Sequence, residues 1–195
     1  SVGHYTVIDK IATNVTERTF ASWCKDIRNI VTIEDLDRFV KGTLIPTVND
    51  WKLDNKSNFL RLGLNSMQQY RIKFILGKIT AYVDALRLGK TTVDDLTSYT
   101  QTAVEIEHIM PQTCADKELY GMNDEDFSVY INRLGNLTLL ENSINKSIHN
   151  DVYANKSKAY KQSKFYLTSS LSELVNQGHD TAINRTNSLL FAWSD

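Results

Sequence analysis

Apolar residues recur three and four positions apart at Phe20, Trp23, Ile27 and Ile30, the spacing of one face of a helix. Thr32 with Asp35 gives a capping signal ahead of Leu36, Phe39, Val40 and Leu44, so a second helix is expected there. Between Asp50 and Leu64 the pattern lapses among Asn55, Ser57, Asn58 and Gly63, and the stretch reads as a loop. Ile72, Ile75, Leu76, Ile79, Val83 and Leu86 then form the clearest helical stripe in the chain, stopping at Gly89. This is the expected core helix.

The period changes beyond residue 100. Val104, Ile106 and Ile109 are β-branched, and Pro111 biases Met110 towards extended backbone, so a short strand should end near His108. Phe127, Tyr130, Ile131 and Leu134 return to helical spacing until Gly135, after which the four residues Leu137-Thr138-Leu139-Leu140 suit a strand better than a helix. Lysines and alanines with Val152, Ala159 and Tyr160 predict a helix over 145–163, and Ile183, Leu190 and Trp193 predict a terminal one. The order is strand, helix, strand, helix. Two strands are not stable alone, so this unit has to pack on surrounding helices. The expected class is α+β, mostly helical, with a helical region over 1–100, a strand-bearing core over 101–165 and a helical segment over 166–195.

Composition removes several alternatives. With only 2 prolines and 8 glycines in 195 residues, a many-stranded barrel or sandwich lacks its turn residues. No apolar run approaches the ~20 residues of a membrane span, and the first residues lack a signal peptide's basic and apolar regions. Cys24 and Cys114 show neither a disulfide framework nor zinc spacing, so a reducing, cytoplasmic setting is expected. The chain opens on Ser1 rather than methionine, as a piece of a longer protein or a tagged one would.

A net charge of −1 argues against a surface that binds nucleic acid all over, but the charges come in blocks. Residues 52–90 carry eight Lys/Arg against Asp54 and Asp84. Residues 101–141 carry Lys117 and Arg133 against eight carboxylates, and 142–170 carry five lysines against Asp151. An acidic segment between two basic ones suits a cation site flanked by phosphate contacts, although charge blocks on helices are also ordinary solvated faces.

Ile106-Glu107-His108-Ile109-Met110-Pro111-Gln112, then Leu134-Gly135-Asn136-Leu137-Thr138-Leu139-Leu140, then Asn145, resembles the HNH nuclease signature of the ββα-metal superfamily. More narrowly, the H-x-x-P-Q and G-N-L-T-L-L wording, with Asn150, Lys156 and Ser163 downstream, is similar to the C-terminal HNH domain of GmrSD-type modification-dependent restriction and phage-defence proteins. The resemblance covers residues 100–193 well and the 67–88 helix weakly. It makes 101–165 an HNH nuclease core and implies a metal-dependent DNA endonuclease, a nickase or double-strand cutter, acting on duplex DNA. It further implies that His108 is the general base, that Asn136 braces the loop carrying it, and that Glu107 and Asn145 hold one Mg²⁺ or Mn²⁺ ion. Glu107 stands where Asp is the commoner spelling, and Asn142, His149 and Asn150 compete with Asn145. Relatives of this kind carry the domain behind a nucleotide-hydrolysing, modification-sensing N-terminal domain, and residues 1–100 contain no G-x-x-x-x-G-K-[ST] loop.

The chemistry asks for the same residue types. Phosphodiester hydrolysis needs a deprotonated water, which an imidazole of pKa ~6.5 can produce near neutral pH. It also needs charge compensation at the phosphate, for which carboxylate and amide oxygens are suitable Mg²⁺ ligands. Lys146, Lys156, Lys158 and Lys161, with Lys164 beside them, are the expected phosphate contacts. Each feature has a plainer reading. An isolated strand-end histidine is usually a satisfied structural group, Asn136 after glycine is a turn residue, and asparagines at a helix start are caps. A non-catalytic DNA-binding or interaction module keeping the ββα frame is the competing function.

Overall fold

The computed structural model describes residues 7–172, apart from 53, 54, 91, 94, 115, 116, 118–120 and 149. The terminal helix expected around Ile183, Leu190 and Trp193 lies outside the described residues, as does His149. The chain divides into two compact units after Leu62.

The first unit is helical. Helix α1 (Thr13–Ile27) buries Trp23, which meets Phe20 and Trp51 at ring-centroid distances of 5.5 and 5.9 Å. Helix α2 (Ile33–Phe39) begins as its sequence requires, Thr32 Oγ1 accepting from Asp35 N and Asp35 Oδ2 from Thr32 N, both at 3.1 Å. It runs through a π-turn, Val40–Leu44, into α3 (Ile45–Lys52). Pro46 has no N–H to return to the carbonyl of Gly42, which accounts for the wider turn just before it. The expected loop over 50–64 is partly helix: α4 spans Asn55–Leu60. Asn55 and Asn58, read as loop residues, instead donate from Nδ2 to the Asp9 carboxylate at 2.7 and 2.9 Å, a tertiary anchor that no local pattern announces.

The second unit is α+β. Helix α5 (Gln69–Arg87) buries Ile72, Ile75, Leu76, Gly77, Thr80, Ala81 and Val83, and ends where Gly89 takes a φ of 65°. Helix α6 (Thr97–Thr100) lies against Gly77, where an added Cβ would stand 3.2 Å from Thr100 Cγ2. Strand β1 (Val104–His108) pairs antiparallel with β2 (Leu137–Glu141), Val104 opposite Glu141 and His108 opposite Leu137. Between them lies α7 (Asp124–Tyr130), capped by Asn123, and the 3₁₀ turn Leu134–Asn136. Strand β2 passes directly into α8 (Asn142–Ile148), then α9 (Tyr153–Tyr160) and α10 (Tyr166–Ser169).

The helix expected over 145–163 is therefore two, and the break falls at Asn150 and Asp151. Asn150 Oδ1 accepts from Gln112 N at 2.8 Å, and Asp151 Oδ1 accepts from Val152 N and Asn155 Nδ2. Side chains that bond backbone in this way compete with a continuing helix.

Alternation places Glu105, Glu107 and, across the pair, Leu140 on one side of the sheet. On that side Ile109, Leu140, Ile148 and Tyr160 form one apolar cluster with Ile144 and Tyr153. Helices α5 and α10 pack on β2. Thr168 Oγ1 lies 2.7 Å from Thr138 Oγ1 and donates to Leu139 O, while Asp84 on α5 accepts from Tyr99 Oη and Tyr166 N. Burial holds the Asp84 carboxyl above its ordinary value against the pull of those donors. The sheet is thus small but enclosed, as two strands require. Residues 63–66 close the site side: Leu64 N donates to Asn132 O at 2.7 Å, and a Cβ at Gly63 would sit 2.4 Å from that same oxygen. Because the obstacle is backbone, Gly63→Ala should lower stability by about 1–3 kcal/mol in urea unfolding, as overpacking does.

Candidate functional site

The end of β1 is where the polar residues converge, and asparagines hold it there. Asn136 is 8% exposed, and its Oδ1 accepts from Met110 N at 2.8 Å while Nδ2 donates to Ile131 O at 2.7 Å and Met110 O at 3.3 Å. Its own carbonyl accepts from Ile109 N at 2.9 Å. Asn136 therefore touches backbone only, tying the exit of β1 to the start of β2. Asn150 does the same one step further on, donating to Thr113 O and Oγ1 and accepting from Gln112 N. Those bonds tie Asn150 to the loop after His108.

His108 is 7% exposed. Its Nε2 lies 3.2 Å from Asn132 Oδ1, an atom that can only accept, so Nε2 carries the proton and Nδ1 is the basic nitrogen. The Gln112 amide nitrogen, 3.5 Å from the same Nε2, is itself a donor and so makes no hydrogen bond to a protonated Nε2. Burial pushes the imidazole below its ordinary value of 6.5; the Asn132 bond and the Glu107 carboxylate pull it partly back, and the Lys156 ammonium depresses it further. At neutral pH the ring is neutral and able to accept a proton.

Glu107, one residue earlier, is 6% exposed and meets α9. Its Oε1 receives Lys156 Nζ at 2.6 Å and Tyr160 Oη at 3.0 Å. The same ammonium donates to the carbonyl of His108 at 2.7 Å. This overturns the expectation for Lys156: it is 1% exposed and ion-paired inside the protein, so it is no phosphate contact. Lys156 and Tyr160 stand four residues apart on α9 and so share its inner face, while Lys158 is turned outward. Lys146, Lys158, Lys161 and Lys164 are exposed.

Asn145 is partly buried on α8, and its Nδ2 donates to Glu105 Oε2 at 2.6 Å. The two expected cation ligands are thus not hydrogen-bonded to each other. Asn145 meets the carboxylate two positions before Glu107 on the same side of the strand. Among the described residues no three His, Cys, Asp or Glu side chains cluster to hold a metal. The remaining oxygens nevertheless suit one: Glu107 Oε2 and Asn145 Oδ1 accept no hydrogen bond from a described residue, and both are hard donors. A cation held by these two would complete its shell with water or phosphate.

The sequence pattern leaves Asn132 and Glu105 unmarked, reads Tyr160 only as a helix position, and misplaces Lys156. The Lys-x-x-x-Tyr spacing is a usable signal for an inward-facing pair. Nothing local marks Asn132, whose role exists only because the turn before β2 returns to His108.

Residues 49–191 match the family model described as GmrSD restriction endonucleases, C-terminal domain, a range that includes each of these side chains. No curated protein matches the chain.

Two measurements check the geometry. In an NMR titration, His108 should show a pKa below 6.5, and Asn132→Ala, which removes a bond favouring the charged ring, should lower it further. Because the folded value lies below the unfolded one, the stability this group contributes is present at neutral pH and lost as pH falls through about 6.5 towards the folded value. Separately, Lys156→Met leaves Glu107 buried and uncompensated and should cost roughly 3–5 kcal/mol in chemical unfolding. Lys158→Met, on the exposed side of the same helix, should stay within about 0.5 kcal/mol.

Proposed function

The chain belongs to the GmrSD restriction endonuclease C-terminal domain family, and on that premise we propose that it is an HNH-type, divalent-metal-dependent DNA endonuclease, the effector domain of a prokaryotic restriction or phage-defence protein. The observation that carries the reading is a buried His108 at the end of β1, its Nε2 beside Asn132 Oδ1 and its strand exit braced by Asn136, in a strand–strand–helix order with Glu107 and Asn145 alongside. In this reading β1, β2 and α8 are the ββα-metal module.

His108 accepts a proton at Nδ1 from the water that attacks the phosphodiester, and Asn132 and Asn136 keep the ring in that orientation. Glu107 and Asn145 would hold Mg²⁺ or Mn²⁺, which would supply charge compensation to the phosphodiester. Exposed Lys146, Lys158 and Lys161 bind backbone phosphates, which positions duplex DNA without reading bases. Sequence or modification choice then belongs to a nucleotide-hydrolysing, modification-sensing domain of the parent protein. Among the described residues no helix is long and apolar enough to cross a membrane.

Plasmid nicking in Mg²⁺, Mn²⁺ or EDTA tests the proposal: metal should be required, and folded His108→Ala should lose roughly 10²–10⁴-fold in rate with DNA affinity retained. Nicking in EDTA, or by that variant at the wild-type rate, would reject it. Reversing Lys146, Lys158 and Lys161 to Glu should weaken DNA binding at low salt and reduce the salt slope by about 0.9 for each phosphate no longer neutralised.

A further inference from the structure

The best-buried charged side chain at the site is one the reaction itself does not use. Lys156 is 1% exposed, and its ammonium lies between the carboxylate of Glu107 and the carbonyl of His108, at 2.6 and 2.7 Å. Tyr160, 0% exposed and one turn along the same helix face, brings its hydroxyl to the same carboxylate oxygen at 3.0 Å. Both protein donors therefore converge on Oε1, and neither reaches Oε2.

An arrangement made only to neutralise a buried carboxylate has no reason to spare one oxygen, since two bonds to separate oxygens satisfy the group better than two bonds to one. Nor does neutralisation require contact with the next residue's carbonyl. Taken together these contacts fix two things at once: the rotation of the Glu107 carboxylate and the height of the His108 backbone at the end of β1.

We infer that Lys156, assisted by Tyr160, is a positioning residue that holds Glu107 by Oε1 so that Oε2 is presented to the divalent cation, and holds the His108 carbonyl so that cation and base keep a constant separation. The inference rests on the nuclease reading above, in which Glu107 is a cation ligand. It assigns Lys156 to orientation rather than to DNA, and it gives a role to a buried ion pair in an interior where a hydrophobic pair of similar volume in place of both residues would avoid the desolvation cost. Lysine suits this place better than arginine, because a compact ammonium can reach two acceptors that lie in different directions, whereas a planar guanidinium prefers both in its own plane.

The test is calorimetric titration of Mn²⁺ into the full chain, with plasmid nicking measured in parallel. Tyr160→Phe removes one hydroxyl and no ring, so it should fold; Lys156→Met is assayed at a temperature where circular dichroism shows it folded. Each should bind Mn²⁺ roughly tenfold or more weakly, as changes behind a metal ligand do. Each should also show a lower kcat at saturating Mn²⁺ with the KM for DNA unchanged. Wild-type Mn²⁺ affinity and kcat in both folded variants would overturn the inference and leave the pair purely structural, and if Lys156→Met does not fold, Tyr160→Phe alone decides. A wild-type chain that nicks with Mn²⁺ while the variants lose affinity supports both readings. A wild-type chain that binds no Mn²⁺ overturns the metal-dependent reading first, and this inference with it.

Discussion

An ammonium group cannot lie in an apolar interior without a partner, and at Lys156 that constraint organises the second unit. The side chain comes from α9, the carboxylate it meets comes from β1, and Tyr160 binds the same oxygen from one turn further along. Removing water from both charges costs several kcal/mol per ion, which their attraction offsets only when the geometry is good and the remaining hydrogen bonds are made. The Tyr160 hydroxyl and the His108 carbonyl make them. For that to happen α9 has to lie at one height against β1, and α8, which connects β2 to α9, has to cross the same face. The apolar cluster of Ile109, Leu140, Ile148 and Tyr160 fills the space this leaves.

The asparagines divide the remaining work. Asn136 saturates backbone groups on both sides of the strand exit, so the strand ends at His108 and its ring is carried to the same place. Asn132 acts on the ring itself, selecting the nitrogen that carries the proton. Asn150 secures the loop after Pro111, and in doing so breaks the following helix into α8 and α9. That break lets the inner face of α9 turn towards Glu107 independently of the face that α8 presents to Glu105. Asp84 receives the Tyr99 hydroxyl and the Tyr166 amide, fastening α5, α6 and α10 to one another beside β2. Packing of this kind is what a two-stranded sheet needs to be stable.

The lysines show why charge in a sequence is an ambiguous sign. Lys156 and Lys158 are two residues apart on one helix, yet one ends in the core and the other in water. The basic segment is therefore a surface at Lys146, Lys158 and Lys161 and an internal ion pair at Lys156. What the family match establishes is a restriction-endonuclease type of domain over residues 49–191; the division of its lysines is a property of this fold.

The elements whose signal is local were legible in the sequence. The capping box at Thr32 and Asp35, the stripe of α5 and its stop at Gly89, and the strands over Val104–His108 and Leu137–Glu141 each follow from periodicity or from a residue's own backbone preference. The strand–strand–helix order and the glycine–asparagine turn before β2 were legible for the same reason. Only tertiary structure decided that Asn55 and Asn58 belong to a helix, because their partner is Asp9, and that the 145–163 segment breaks, because Asn150 is drawn to Gln112 and Thr113. It also decided that Asn145 meets Glu105 rather than Glu107 and that Lys156 faces inward. Each of these depends on a partner distant in the chain, or on which side of a helix turns to the core, and no local pattern of apolar and polar residues carries that information.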